Sequence, residues 1–143
     1  MDSKDALPAA RAIRALKDCC RALGIPTIYA NDNFGRWRSD MVDIARRIME
    51  SSSPGRPVAE LLRPGSEDYF VVKPKYSAFN SSSLDVLLNY LSAKTIIVCG
   101  YAGNVGVIFS ASDAHHRDLS VVVPRACTSV HLTRRAGSDS DPA

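Results

Sequence analysis

The stretch TIIVCG, residues 95–100, is an unbroken apolar strand of the kind that parallel sheets cover on both faces. The turn GYAGNVG follows at once, and helical patterning then runs from about Val105 to Arg117. The rest of the chain keeps the same rhythm. A first helix is expected over Leu7 to Leu23, where Ile13, Leu16, Cys20 and Leu23 share one side and Gly24 supplies the stop. IPTIYA (25–30) and DYFVVK (68–73) read as strands, and LSVVVP (119–124) as a last one. Between them, Ser39 can cap a helix carrying Val42, Ala45, Ile48 and Met49. A short helical piece at Val58 to Leu62 ends before Pro64, and the run Ser81 to Ser83 caps a helix with Leu84, Leu87, Leu88 and Leu91 on one side. Strands alternating with helices, with enough chain between them for crossovers, indicate an α/β layer fold with a parallel sheet.

The 143 residues suit a single domain, and the residues from Thr133 onward read as a solvated, disordered tail. No apolar run approaches the roughly 20 residues that cross a bilayer, and the N-terminus lacks the apolar core of a secretory signal, so a cytoplasmic location is expected. Net charge is +3 and the basic residues are scattered, apart from Arg36 and Arg38 around Trp37 and the pair Arg134 and Arg135. Neither nucleic acid nor membrane is an expected partner. Cys19, Cys20, Cys99 and Cys127 show no zinc or disulfide-framework spacing, and reduced thiols are the default.

In parallel α/β sheets ligands sit at the carboxyl ends of the strands, which directs Lys73, Gly100 to Gly106 and the loop Asn31 to Trp37 toward one pocket. A lysine ending an apolar strand is either partly desolvated, and so fit to move a proton or stabilise charge, or snorkels to solvent. The turn before the helix offers backbone amides to an anion or oxyanion, although glycines there also serve tight turns. Trp37, Phe79 and Tyr101 either line the pocket or pack in the core. His115 and His116 are adjacent on a helix and point apart, so they form no chelating pair.

DYFVVKPKYSAFNSSSLDVLLNYLSAKTIIVCGYAGNVGVIFSASDAHHRDLSVVVPRACTS, residues 68–129, resembles the isochorismatase-like cysteine hydrolase superfamily. IPTIYANDNFGRWRSD is similar to the second strand and loop of one of its subgroups, and the likeness runs from about Leu7 to Ser129. It implies a Rossmann-like three-layer sandwich with a parallel sheet, here lacking the first, central strand, in an incomplete domain over residues 1–132. It also implies hydrolysis of small-molecule amides by an Asp base, an assisting Lys and a Cys nucleophile, without a cofactor. Carried onto this chain, the lysine is Lys73, and the nucleophile position, 33 residues further on, is Gly106. The oxyanion amides would come from Ala102 and Gly106, beside a cis bond between Tyr101 and Ala102.

Two departures follow from the resemblance. Gly106 carries no sulfur, and no Asp lies on an apolar first strand, since Asp2 and Asp5 precede a helix. Loss of a central strand would leave two unpaired edges facing a gap. The expected function is that of a family hydrolase inactive toward amides. The alternatives are an isochorismatase-type vinyl-ether hydrolase, which also has glycine at the nucleophile position, and a non-catalytic module. Such a module would bind a small carbonyl compound, self-associate, or pair with a full-length relative. The Asp-x-His metal motif of nicotinamidases is absent after the second strand, where Asp32 precedes Asn33 and Phe34, and no metal is required.

Overall fold

The computed structural model describes residues 3–32, 46, 52, 54–101 and 103–129. The helix expected from Ser39 and the tail beyond Thr133 lie outside them. In chain order the elements are α1 (Ser3–Ala22), β1 (Ile28–Asp32), α2 (Arg56–Leu61), β2 (Tyr69–Lys73), α3 (Leu84–Tyr90), β3 (Thr95–Ile97) and β4 (Gly100–Tyr101). A π-helical turn (Gly103–Val107) leads into α4 (Ile108–His115), followed by β5 (Ser120–Val122), a 3₁₀ turn (Arg125–Cys127) and β6 (Thr128–Ser129). Helices alternate with strands that all pair in parallel, an α/β, Rossmann-like arrangement.

α1 stops where glycine permits. Gly24 has φ +70°, its N–H donates to the Arg21 carbonyl at 3.1 Å, and the Ile25 N–H donates to the Cys20 carbonyl at 2.9 Å. These two bonds use the last helical carbonyls in the manner of a Schellman motif. The buried face of α1 is made of Ala6, Ala9 and Ala10, whose small side chains let the helix lie close to its neighbours. Leu23, expected on that face, is 76% exposed because the helix has ended and the chain is turning away. Further along, Lys17 is buried and donates to Asp68 at 2.5 Å and to the Tyr29 hydroxyl at 2.9 Å, tying α1 to β1 and to the approach to β2.

The core is one cluster of Val71, Ala78, Phe79, Leu84, Leu88 and Ala114, joined by Ile28, Ala30, Ile96 and Val121. Period 2 in the strands explains its composition. Val71, its register partner Ala30 and Ile28, two residues earlier on β1, face the same way as Ile96 and Val121, toward α3 and α4. The opposite face is only partly covered: α1 lays Lys17 over the Tyr29 ring, while Phe70 is 41% exposed, Val72 44%, Ile97 41% and Val122 47%. Ile97 of TIIVCG is therefore not sealed from solvent, and the segment is broken into β3 and β4 by an interval at Val98 and Cys99. The Ser81 to Ser83 run caps α3 through its middle member. Ser83 makes no capping side-chain bond, whereas Ser82 Oγ accepts the Leu84 N–H at 3.2 Å and donates to the Ala78 carbonyl.

Among the described residues the sheet is three two-stranded ladders, β1 with β2, β3 with β5 and β4 with β6. Among the described residues no ladder joins β1 to β3, and none pairs with the second edge of either strand. No helix among the described residues is long and apolar enough to cross a membrane.

Candidate active site at the ends of β1 and β2

β1 runs two residues past IPTIYA, through Asn31 and Asp32, and its register places Asp32 opposite Lys73. Partners in a parallel ladder project to the same face, so the carboxylate and the ammonium meet at the carboxyl ends of the two strands. Lys73 Nζ donates to Asp32 Oδ1. The lysine side chain is only 10% exposed, while that of Asp32 is 46% exposed and opens the pair to solvent on one side. Lys73 is thus a desolvated, ion-paired lysine and does not snorkel. Asp32 falls in the Asn31 to Trp37 segment that the sequence directs to the pocket, but nothing in the sequence singles it out, because Asn and Asp are depleted in strands and NDNFG reads as a loop.

Past Lys73 the chain turns sharply. Tyr76 is held at φ +49°, a conformation unusual for a residue with a side chain, and its ring stacks on Phe109 at 5.7 Å. The Ala78 N–H donates to the buried Ser110 hydroxyl at 2.8 Å, pinning this loop to α4. The loop is thereby brought against the π-helical turn. A Cβ placed on Gly106 would lie 3.8 Å from the Tyr76 carbonyl oxygen, an ordinary contact, and Gly106 does not have a positive φ. Neither backbone conformation nor lack of space demands glycine at this position. π-Helical turns inside helices are frequent at functional sites, and this one sits where the sequence places a backbone cradle.

The other expected site residues are distributed differently. Phe79 is 5% exposed and belongs to the core, with the Arg117 guanidinium 4.5 Å above its ring. It also borders a shallow cleft of about 360 Å³ between Tyr76, Asn80, Phe109, Asp113 and Arg117, which includes neither Lys73 nor Gly106. Tyr101 is half-buried on β4, opposite Ser129 of β6. Trp37, Ala102 and the Tyr101–Ala102 peptide bond lie outside the described residues. Among the described residues no three His, Cys, Asp or Glu side chains are grouped to hold a metal ion.

Comparison with known proteins agrees with this architecture. The family described as "Isochorismatase domain" matches residues 2–136. The isochorismatase family protein YaaI of Bacillus subtilis is 37% identical over 115 residues, which is 80% of this chain and 62% of YaaI. Enterobactin synthase component B of Escherichia coli is 29% identical over 75% of this chain and 39% of its own length. The chain thus spans less than two thirds of the length of these relatives. The crystal structure of a cysteine hydrolase from Pseudomonas syringae superposes with a TM-score of 0.74 at 26% identity, covering 94% of this chain and 66% of that one. With the parallel α/β layers, the Lys73 strand and the Gly106 turn in the matched region, the chain belongs to the isochorismatase family.

Proposed function

We propose that this chain is a hydrolase-family protein whose site binds a small carbonyl compound and does not hydrolyse amides through a thiolate. The observation that carries this reading is Gly106: the turn has room for a side chain there, and none is present. Covalent acyl transfer needs a nucleophile at that point, and Cys99 and Cys127 precede and follow the turn on other segments. What remains at the strand ends is the Lys73 ammonium and a half-exposed Asp32 carboxylate, a pair able to orient and polarise a carbonyl oxygen.

The test is an assay of the purified chain against a panel of small amides and isochorismate, before and after thiol alkylation. No ammonia release is expected, and alkylation should change nothing. Amide turnover that alkylation abolishes would overturn the reading, and turnover of isochorismate alone would replace it by the vinyl-ether alternative. Gly106→Cys is expected to fold, to add one alkylatable thiol and to leave amide turnover at background, because groups that act as a unit are not restored singly. Lys73→Ala should weaken binding of any ligand found by roughly tenfold or more, the loss of one charge-assisted hydrogen bond.

A second reading, an interaction module, is favoured by the edges of β1 and β3 that are unjoined among the described residues and by the partly exposed Phe70, Val72, Ile97 and Val122. Such edges and patches are where another copy of the chain, or a longer relative, would add a strand. Molar mass in solution and the thermal melt decide it. A defined oligomer melting cooperatively supports pairing, and a monomer with a cooperative melt at high temperature rules it out.

A further inference from the structure

Two cysteines outside the site lie side by side. The β4–β6 register pairs Gly100 with Thr128 and Tyr101 with Ser129, and Cys99 and Cys127 are the residues that lead directly into these two adjoining strands. Neighbouring parallel strands run about 4.8 Å apart, inside the Cα separation of about 4.4–6.8 Å that a disulfide spans. The Cys99 and Cys127 thiols are close enough to interact electrostatically. Cys127 is 5% exposed and closes the 3₁₀ turn packed under α1, while Cys99 is half-buried. Cys20 of α1 is also close enough to Cys99 for an electrostatic interaction, and the three thiols are not grouped to hold a metal ion.

We propose that Cys99 and Cys127 are a modification site that a peroxide converts to a disulfide, stapling the strand before the Gly103–Val107 turn to the segment leading into β6. The bond balances in two steps. One sulfur attacks a peroxide oxygen, breaking the O–O bond and forming a sulfenic acid and, with hydrogen peroxide, one water after proton transfer. The second sulfur attacks the sulfenic sulfur, the S–S bond forms, and the sulfenic oxygen leaves with the second thiol's proton as another water. Two thiol sulfurs are each oxidised by one electron, and the two peroxide oxygens are reduced.

The environment sets the character of the bond. Burial, then the neighbouring Cys127 and Cys20 thiols, push the Cys99 thiol up to about 12. A thiol so rarely ionised reacts slowly, and once in a disulfide it is a poor leaving group, so the bond closes slowly and resists reduction by exchange. The closed loop between the two positions constrains the unfolded chain and should raise the melting temperature by about 5–10 °C.

The experiment treats the full chain with hydrogen peroxide, blocks free thiols and digests with trypsin without reduction. The expected product is peptide 95–117, with Cys99, joined to peptide 126–134, with Cys127, at a mass two hydrogens below their sum. Peptide 18–21, which carries Cys19 and Cys20, should remain unlinked. Cys20→Ser should form the same product, and Cys99→Ala should lose both the product and the rise in melting temperature. The proposal fails if peptide 18–21 is the one joined to Cys99, if only dimers through exposed Cys19 form, or if Cys99 and Cys127 both stay free when exposure is continued well beyond full oxidation of Cys19.

Discussion

Lys17→Ala is expected to cost about 3–5 kcal/mol, a large part of the stability of a domain this size. Lys17 and Asp68 have side chains 4% and 5% exposed and meet at 2.5 Å, so truncating the lysine leaves a carboxylate buried without its counter-ion. Gly65 N–H, at 2.6 Å, is then its remaining hydrogen bond among those to Asp68, and that amide with the weaker field of Arg21 does not replace a hydrogen-bonded ammonium. The Tyr29 hydroxyl, which donates to the Leu62 carbonyl at 2.8 Å, loses the lysine as a donor too. Lys17→Met with Asp68→Leu removes both charges and should cost less than either single change. Urea unfolding of the three variants checks this; a loss under about 1 kcal/mol for Lys17→Ala would show that the pair is already well solvated.

The same pair gives stability a pH dependence whose sign can be worked out. Burial pushes the Asp68 carboxyl up, but the hydrogen bonds from Lys17 and Gly65 outweigh it and hold Asp68 below its ordinary value. Its contribution is present above the unfolded carboxylate range, about pH 4, and is lost as pH falls through the lowered folded value. Burial likewise pushes the Lys17 ammonium down, and the bonds to Asp68 and Tyr29 outweigh it and hold it above its ordinary value. That contribution is present below about pH 10 and is lost as pH rises through the raised folded value. The charge-free double variant should therefore show a flatter stability profile at both ends than the unaltered chain.

Phe79→Ala is expected to cost about 3–5 kcal/mol, because the ring fills the cluster between β2, α3 and α4 and its removal leaves a cavity. Phe79→Leu keeps most of the volume and should cost less than about 1.5 kcal/mol. The Arg117 guanidinium above the ring is fixed by two bonds to Asp85, at 2.7 and 3.1 Å, so it cannot readily drop into the space. Denaturant unfolding with an unchanged slope would mark the effect as loss of packing. Were Phe79 instead a wall of the ligand pocket, the alanine variant would lose ligand affinity with little change in unfolding midpoint.

The elements that could be read in the linear chain are those with a local physical cause. Gly24 ends α1 because a positive φ is needed there, Leu84 and Leu88 repeat at helical spacing, and YFVVK is stopped by Pro74. The family motifs around Lys73 and Gly106 were legible for the same reason, being short and contiguous. Asp32 was not, since its meaning comes from lying opposite a residue 41 positions away. Nor was the Cys99 and Cys127 pair, because no spacing rule reveals which short strands adjoin.

By itself the sequence determined the class of fold, the order of its elements, the position of the lysine strand and the absence of a nucleophile at Gly106. These follow from side-chain periodicity, turn chemistry and the atoms a residue does or does not possess. Tertiary structure alone decided that Lys73 is buried against Asp32, that Phe79 belongs to the core, that Ile97 of TIIVCG is left partly exposed and that no ladder joins β1 to β3 among the described residues. Burial and charge pairing depend on which distant segments arrive at the same place, and strand register, not local propensity, brings them there.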